Sequence, residues 1–574
     1  MKKRMVSVLL SLTMVAASIA GCGSGSTGTS AGTDEAVASE KTEDASEKTD
    51  AADAAQTGDS YEAADAGIFT STFTDIEGNE VQIQTGVQFP LEEEVTLTFW
   101  YPVGWNFIGE MNALQDGEVW QYLKEMTNVN VEFIHPAEGT EEEAYSLLYA
   151  SDKLPDILYS DLGKREYAAG AAAAVTDGYF LDLTDMIGKY APNYSAVLNS
   201  NEQVAKDVKT DDGQVLSFFH IYEGIGKACN QGPSVREEVL AQVGYKPEDL
   251  VTYDDWYDAL TKIKEAGICE TPLFISKKGV MEYNELTGGY GVAQDFINID
   301  GTIKYGPCEP GYMEYVEMMN KWHDEGLIDS DFALNERDPE EGDVINGKYA
   351  AWWSYCSWNG DKKWGAKGVA DDFNLIGTAI PVKTKGEKAH YRCPDTIVNN
   401  YNFHITTDCE NPEVAIAYMD LFYNDVVALI ANYGLGDTHV KNDDGTYSWS
   451  DKINGAEDVY AARGKYVLPN AFYENYDRVM DSWTDAQKVS QQNWLDTSDS
   501  AYVVPLYISM TAEENEEFAS IMGDITTFVE EETAKMIAGN SSYDGDSFVA
   551  KIKELGIDRA IELKQAALDR YNAR

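Results

Sequence analysis

The chain has 574 residues, 44% of them hydrophobic, and carries 99 acidic side chains against 43 basic ones, a formal net charge of −56. That excess repels nucleic acid, and it disfavours a polyanionic ligand unless arginines gather at its site. A chain of this length and apolar content can bury a large core and exceeds one ordinary domain, so two lobes are the default expectation.

At the N-terminus, Lys2, Lys3 and Arg4 precede an apolar run from Met5 to Ala20, the charged and hydrophobic regions of a secretory signal. Serines and a threonine interrupt the run, and it falls short of the roughly 20 apolar residues that span a bilayer. It ends in Ile19-Ala20-Gly21-Cys22, which resembles the bacterial lipobox. The expectation is a signal peptide over 1–21, cleaved before a lipidated, palmitate-bearing Cys22. Each buried acyl methylene contributes about 0.8 kcal/mol, so several chains on one cysteine hold a protein at a membrane surface. After Cys22, residues 23–66 are mostly Ser, Thr, Gly, Ala and acidic side chains, with Val37 and Tyr61 as the larger apolar ones and 11 acids against Lys41 and Lys48. This composition reads as a disordered linker, extended by self-repulsion beyond the roughly 35–40 Å of a neutral flexible chain. The expected location is therefore the extracytoplasmic face of the cell membrane. Without the signal and linker, residues 67–574 keep 88 acidic and 38 basic side chains, a net charge of −50.

Residues 68–85 alternate around Glu77-Gly78-Asn79 and predict a β-hairpin, an N-terminal extension over 67–89 ahead of the main fold. A strand over Val95 to Trp100 follows, then a loop through Trp105. Next come a helix with Val119, Leu123 and Met126 at helical spacing, a strand from Val129 to Phe133, a helix across Glu141 to Ala150, and a strand from Asp156 that ends at Ser160-Asp161. Strand and helix in alternation predict a parallel α/β sheet. Ligands of such sheets bind beyond the carboxyl ends of the strands, where Trp100, Trp105 and Asp161 should lie. Further on, Thr252 and Asp255 form a capping-box pattern that opens a helix through Trp256, Leu260 and Ile263, with Gly267 as its stop. Another helix runs from Met313 to Glu325, closed by Gly326, and a strand from Phe373 to Ile380. Asn411-Pro412-Glu413 starts a long helix predicted to reach Gly434. The C-terminal stretch from Thr511 to Asp569 is helical in pattern, with a break near Gly539 to Gly545.

Six cysteines follow Cys22, with no C-x-x-C pair and no zinc-like spacing. Small buried thiols are the simplest reading, and no disulfide pairing follows from one sequence. Asp211-Asp-Gly213 and Asn442-Asp-Asp-Gly445 lack the ligand spacing of calcium loops and read as turns. No metal and no cofactor are expected.

From Asn346 to Gly360 the chain sets five large aromatics in ten residues: Tyr349, Trp352, Trp353, Tyr355 and Trp358. Core packing accounts for such density, and so does a platform on which the C–H faces of sugar rings can stack.

Ser151-Asp-Lys-Leu-Pro-Asp-Ile157, Leu181-Asp-Leu-Thr-Asp-Met-Ile-Gly-Lys-Tyr-Ala-Pro-Asn193 and Val235-Arg-Glu-Glu-Val-Leu-Ala-Gln-Val-Gly244 come in order along the chain. Trp322-His-Asp-Glu-Gly-Leu-Ile-Asp329, Asn411-Pro-Glu-Val-Ala-Ile-Ala-Tyr-Met-Asp420 and Ile552-Lys-Glu-Leu-Gly-Ile-Asp558 follow. Each is weak alone, but together they resemble extracellular solute-binding protein family 1, in its long oligosaccharide-binding branch of ABC-transporter lipoproteins. The resemblance implies an α/β, two-lobed, periplasmic-binding-protein-like (type II) fold with a hinge and an interlobe ligand cleft. It also implies lobes over 90–222 plus 382–440 and over 223–381 plus 441–574, and a monomer that presents a bound oligosaccharide to permease subunits. Some relatives carry a calcium loop where this chain passes from Gly267 directly to Glu270-Thr-Pro-Leu273, so a structural calcium is not expected there.

For the ligand, the candidates are Trp100 and Trp105 from the first loop and at least one of Trp352, Trp353 and Trp358. Strand alternation should bury one of the neighbouring pair Trp352 and Trp353. Asp161 and Glu223 could each accept a pair of sugar hydroxyls, or be ordinary surface carboxylates. Arg236 matches a family arginine, and a structural ion pair would account for it equally. Asn400 and Tyr401 follow the strand-like Thr396-Ile-Val398, and Trp483 is the aromatic expected from the C-terminal part, with Trp494 and Trp449 as rivals. Two other functions compete with oligosaccharide capture. A surface glycoside hydrolase or lyase would need a carboxyl pair about 5–10 Å apart. A peptide-binding lipoprotein would use an acidic group for the ligand amine.

Overall fold

The computed structural model describes residues 68–574 apart from 152, 162–164, 168–169, 224–228, 366–367, 391–395 and 482, and apart from the side chains of 223, 362, 363 and 481. The signal peptide, Cys22 and the linker lie outside the described residues.

Phe69–Thr74 and Glu80–Thr85 pair antiparallel, as the alternation predicts. The turn is made by Asp75, whose carboxylate accepts the backbone N–H groups of Glu77 and Asn79, and by Gly78 at φ +85°. The hairpin is fastened to the main body at several points. Tyr122 donates its hydroxyl to Thr74 O at 2.7 Å, and Glu77 pairs with Lys441 and accepts from Tyr447.

A six-stranded sheet comes next, ordered Tyr473–Asn475, Phe218–Glu223, Val398–Ile405, Ile157–Asp161, Val95–Trp100 and Val129–Ile134. Val398–Ile405 runs antiparallel to both of its neighbours, while the other neighbouring pairs are parallel. The carboxyl ends of five strands and the start of the sixth therefore share one edge. The helix Glu118–Thr127 makes the crossover between Val95–Trp100 and Val129–Ile134 and buries Val119 and Leu123. Asn128, at φ +58°, turns the chain out of it.

A second sheet holds Ala351–Tyr355, Gln231–Arg236 and Leu375–Gly377, with Gln231–Arg236 in the middle and antiparallel to both. The strand predicted from Phe373 to Ile380 is thus only three residues long. The helix Asp485–Thr497 lies on this sheet, and Gly232 and Gly377 let it come close. A Cβ at either glycine would sit within 2.8 Å of the Trp494 ring. The helix Tyr253–Glu265 opens with the predicted capping box of Thr252 and Asp255 and buries Trp256, Leu260 and Ile263. Gly267, at φ +68°, then ends the turn.

The long helix predicted from Asn411 to Gly434 is in fact two, Pro412–Asp420 and Asp425–Tyr433, bent by 71°. The cause is Asn424, whose side chain accepts the N–H of Val426 and starts the second helix afresh. The helices Ala512–Ile537, Gly545–Glu554 and Ile557–Ala573 complete the chain, with the break where Gly539 and Gly545 predict it.

Between the two sheets the chain crosses after Glu223, after Gly377 and after Asn475. All three crossings use the shared edge of the large sheet and the Gln231 end of the small one. Tyr473–Asn475 is a strand of the large sheet, although it falls within the 441–574 segment expected to accompany the small one.

Both calcium-like sequences are turns. Gly445 N donates to Asn442 O in a hairpin, and Gly213 N donates to Thr210 O while Asp211 is ion-paired with Arg570 and Arg574. Cys229 is disulfide-bonded, and Cys269 and Cys409 are buried free thiols.

Candidate functional site

The edge at which the chain crosses between sheets gathers aromatic and amide side chains from both. On the large sheet, Tyr401 stands opposite Asp161 in register and lies 5.9 Å from the His220 ring, nearly parallel to it. His220 is 4.6 Å from Tyr222, Tyr222 meets Tyr476 edge-on at 5.7 Å, and Tyr476 meets Trp483 at 6.3 Å. These distances make one continuous run of rings from the large sheet to the segment that leads into the helix on the small sheet. Tyr476 also donates its hydroxyl to Asn230 Oδ1 at 2.7 Å and accepts from Gln491 at 3.1 Å. Asn230 O accepts the N–H of Cys356, which ties the run to the aromatic segment 351–358.

On the small sheet, Tyr355 pairs with Gln231 at the crossing end. The guanidinium of Arg337 lies between the rings of Tyr355, at 4.1 Å, and Tyr283, at 4.4 Å. It pairs with Asp338 at 2.5 Å and donates to Gln231 Oε1 at 2.9 Å. Trp358 rests edge-on against Tyr355 at 5.5 Å and is only half-buried.

Beneath the large-sheet side is a buried ion cluster. Arg478 donates to Glu474 at 2.8 Å, and His220 Nε2 is 2.9 Å from the same carboxylate without hydrogen-bond alignment. Burial alone would raise the Glu474 pKa, but the Arg478 guanidinium and His220 outweigh it and hold it down to about 2. Burial, with the nearby Asp161 carboxylate, raises the Tyr401 phenol above its ordinary range and keeps it un-ionised.

The predicted residues divide by position. Tyr401, Asn400 and Asp161 lie at the crossing edge of the large sheet, and Trp353, Trp358 and Trp483 lie near the crossings on the other side. Trp105 sits in the 3-10 turn Trp105–Phe107, 39% exposed and edge-on to His135. Asp161 is not a free acceptor pair: it is buried, bound to Arg165 Nη2 at 2.6 Å and to Arg165 N at 2.8 Å. Glu223 ends its strand at the crossing, but its side chain lies outside the described residues.

Three expectations require correction. Trp100 is 2% exposed and packs against Tyr145, because it is the last inward position of its strand and not the first of the loop. Trp352, one of three stacking candidates, is 1% exposed and edge-on to Trp364, so it leaves the site as the member of the Trp352–Trp353 pair that alternation is expected to bury. Arg236 lies at the far end of its strand from the crossing, held by Glu238 at 2.8 Å, by Tyr349 O and by the face of Phe373. At about 3.3 Å per residue, that end is some 17 Å from Gln231. The rivals Trp494 and Trp449 are both buried.

Sequence reasoning missed Tyr222, Tyr476, Arg165, Tyr283 and Arg337. Tyr222 could have been found as the neighbour of a strand end. Arg337 sits in a loop that carries no motif and comes to the site only through tertiary contact. Among the described residues, no group of three or more His, Cys, Asp and Glu side chains is placed to hold a metal ion.

No family model matches the sequence. The fructooligosaccharide ABC transporter substrate-binding protein FusA of Streptococcus pneumoniae is 23% identical over 530 residues, which cover 85% of this chain and 93% of that protein. Lipoprotein LipO of Bacillus subtilis is 22% identical over 237 residues, 39% of this chain and 44% of that one. Among solved structures, the alginate-binding protein AlgQ2 without calcium ion superposes with a TM-score of 0.66 at 20% identity, covering 83% of this chain and 99% of AlgQ2. Two sheets joined by three crossings, together with these likenesses, show a two-lobed, periplasmic-binding-protein-like α/β fold.

Proposed function

We propose that this protein is the capturing component of an ABC importer: it closes its two lobes on an oligosaccharide and hands the closed complex to permease subunits. The observation that carries the reading is the continuous run of rings from Tyr401 through Tyr222 and Tyr476 to Trp483, tied through Asn230 to the aromatic segment that holds Tyr355 and Trp358. Aromatic faces supply the apolar part of sugar recognition, and the surrounding tyrosine hydroxyls and asparagine amides can take the ring hydroxyls. The similarity to FusA over most of both chains supports the same substrate class.

The lobes would be 90–222 with 382–440 and 223–381 with 441–574, except that Tyr473–Asn475 goes with the first. Closure about the three crossings would desolvate the ligand between the two sets of rings. Within this proposal the site binds without converting its ligand, the protein acts as a monomer, and lipid on Cys22 keeps it beside the permease.

The test is a melting and tryptophan-fluorescence scan of the protein from residue 23 onward against oligosaccharides, monosaccharides and peptides. A ligand at 100 times its Kd stabilises by about 2.7 kcal/mol. Saturable stabilisation by one glycan class, with the glycan recovered intact, is the expected result. Response to peptides alone, or release of cleaved sugar, would overturn the proposal.

A further inference from the structure

We infer that the site takes an oligosaccharide of several units in preference to a mono- or disaccharide, and that Trp105 and Tyr460 form a second platform for its outer units. The inference rests on the sugar-capturing reading and deepens it.

Trp105-Asn106-Phe107 make the 3-10 turn that follows the strand Val95–Trp100. That strand and its neighbour Val129–Ile134 end at the same edge of the large sheet as Ile157–Asp161, the edge where Val398–Ile405 starts. The turn therefore stands at the crossing edge, displaced along it from Tyr401. Val129–Ile134, whose end Trp105 approaches, is three strands from Val398–Ile405, or about 14 Å at the usual strand spacing. One sugar ring does not bridge such a gap, whereas a chain of several does.

Close packing fixes the turn in place. It lies against the helix Val459–Tyr466, where Gly464 lets Phe107 O come so near that a Cβ would meet it at 1.8 Å. Gly109, at φ +54°, faces the same helix, and a Cβ there would sit 2.7 Å from the Ala461 Cβ. The first turn of the helix carries Tyr460, which meets the Phe107 ring at 5.5 Å, while the Arg463 guanidinium lies over that ring at 5.4 Å. On the strand side, Trp105 meets the His135 ring at 6.3 Å. His135 is stacked on Phe133 at 5.5 Å, and its Nδ1 is 2.7 Å from Tyr101 O. Both outer rings are thus held by packing and still open to water, Trp105 at 39% exposure and Tyr460 at 47%.

The platform is joined to the site by contact. Tyr101, whose carbonyl meets His135, packs on Tyr159 at 5.4 Å, and Tyr159 packs on Tyr401 at 5.7 Å. Asn470, from the segment after the helix, donates to the Tyr101 hydroxyl at 3.3 Å. The same buried rings therefore brace Tyr401 and the base of Trp105. Large rings held in place while exposed suit a ligand that brings apolar C–H faces and hydroxyls together, and the exposed amide of Asn106 beside Trp105 can take the hydroxyls. A sugar chain that continues along the edge from Tyr401 offers both to the platform.

The experiment is calorimetric titration of the protein from residue 23 onward with fructo-, manno- and galactooligosaccharide ladders of two to six units. In the ladder that binds, Kd should fall at least tenfold from the disaccharide to the longest member. Trp105→Ala and Tyr460→Ala, with melting checked to confirm folding, should each shrink that ratio at least threefold. Trp105→Phe, which keeps a ring, should retain most of it. A Kd that does not change with length in the native protein, or a ratio unchanged in both folded alanine variants, would overturn this inference and leave sugar capture standing. Binding of peptides and of no glycan would overturn both.

Discussion

Trp352 and Trp353 are neighbours in the strand Ala351–Tyr355 and face opposite sides of it: Trp352 is sealed edge-on against Trp364, while Trp353 stays half-buried on the face that leads to Tyr355. Trp358, three residues beyond the strand, rests on Tyr355 at the crossing. One short aromatic stretch therefore serves core and site at once. Replacing Trp352 with Ala removes a fully buried ring and should cost about 3–5 kcal/mol of stability, with ligand Kd unchanged in the molecules that remain folded. Trp358→Ala should behave the other way, with a stability loss within about 1 kcal/mol and a Kd raised at least tenfold. Urea denaturation and calorimetric titration of the two variants side by side test the division; equal losses of affinity would refute it.

Arg236 and Glu238 form an ion pair in which both side chains are nearly buried, at 12% and 11% exposure, and Glu238 also accepts the N–H of Asn374. Arg236→Met leaves that carboxylate buried without its cation and should cost about 3 kcal/mol. Adding Glu238→Gln should recover part of the loss, since the uncompensated charge is then gone. Ligand affinity should stay within twofold in both variants, because the pair is at the far end of the strand. A tenfold rise in Kd with intact melting would return Arg236 to the binding site.

Lipid attachment at Cys22 is tested by feeding cells labelled palmitate. Label should enter the native protein and disappear in Cys22→Ala, although six other cysteines remain in the chain. Retention of label in the variant would point to a different anchor. Ligand affinity of the protein from residue 23 onward should match that of the full chain.

How much of this could be read from the sequence depended on whether the signal was local. The hairpin, the capping box at Thr252 and Asp255, and the strand ends at Trp100 and Asp161 follow from spacing within a few residues, and all appear in the structure. The single long helix from Asn411 failed because Asn424 looks ordinary in a helical pattern, yet its side chain caps a second helix. Trp100 failed for a finer reason: the last residue of a strand points either inward or outward depending on register, and only the packing of Tyr145 decides it. Arg337 was illegible because its partners Tyr283, Tyr355 and Gln231 come from three distant segments. The pairing of Asp161 with Arg165 was a local signal, four residues apart, that the reading of Asp161 as a free acceptor passed over.

Glu285 gives the protein a pH dependence of definite sign. Its carboxyl is buried against the start of the helix Lys277–Met281, where a Cβ on Gly279 would meet it at 2.4 Å. Burial pushes its pKa up to about 8, and the nearby Arg337 offsets this only in part. An acid that holds its proton more tightly when folded than when unfolded stabilises the fold at low pH, and that contribution is lost as pH rises from about 4.5 through about 8. Asp420, raised to about 7 chiefly by burial, acts in the same direction. His404, lowered to about 4 by burial, acts in the opposite one, since its contribution is lost as pH falls from 6.5 towards 4. The range from pH 6.5 to 8 therefore isolates the acids. Across it the native protein should lose on the order of 2 kcal/mol through Glu285, at about 1.4 kcal/mol per unit. Glu285→Gln keeps the shape without a proton to lose, so its stability should fall less over the same range, through Asp420 and Asp207, which burial also raises. Urea midpoints of the two proteins at pH 6.5 and pH 8 measure the difference directly, and parallel declines would show that Glu285 is already ionised in the fold.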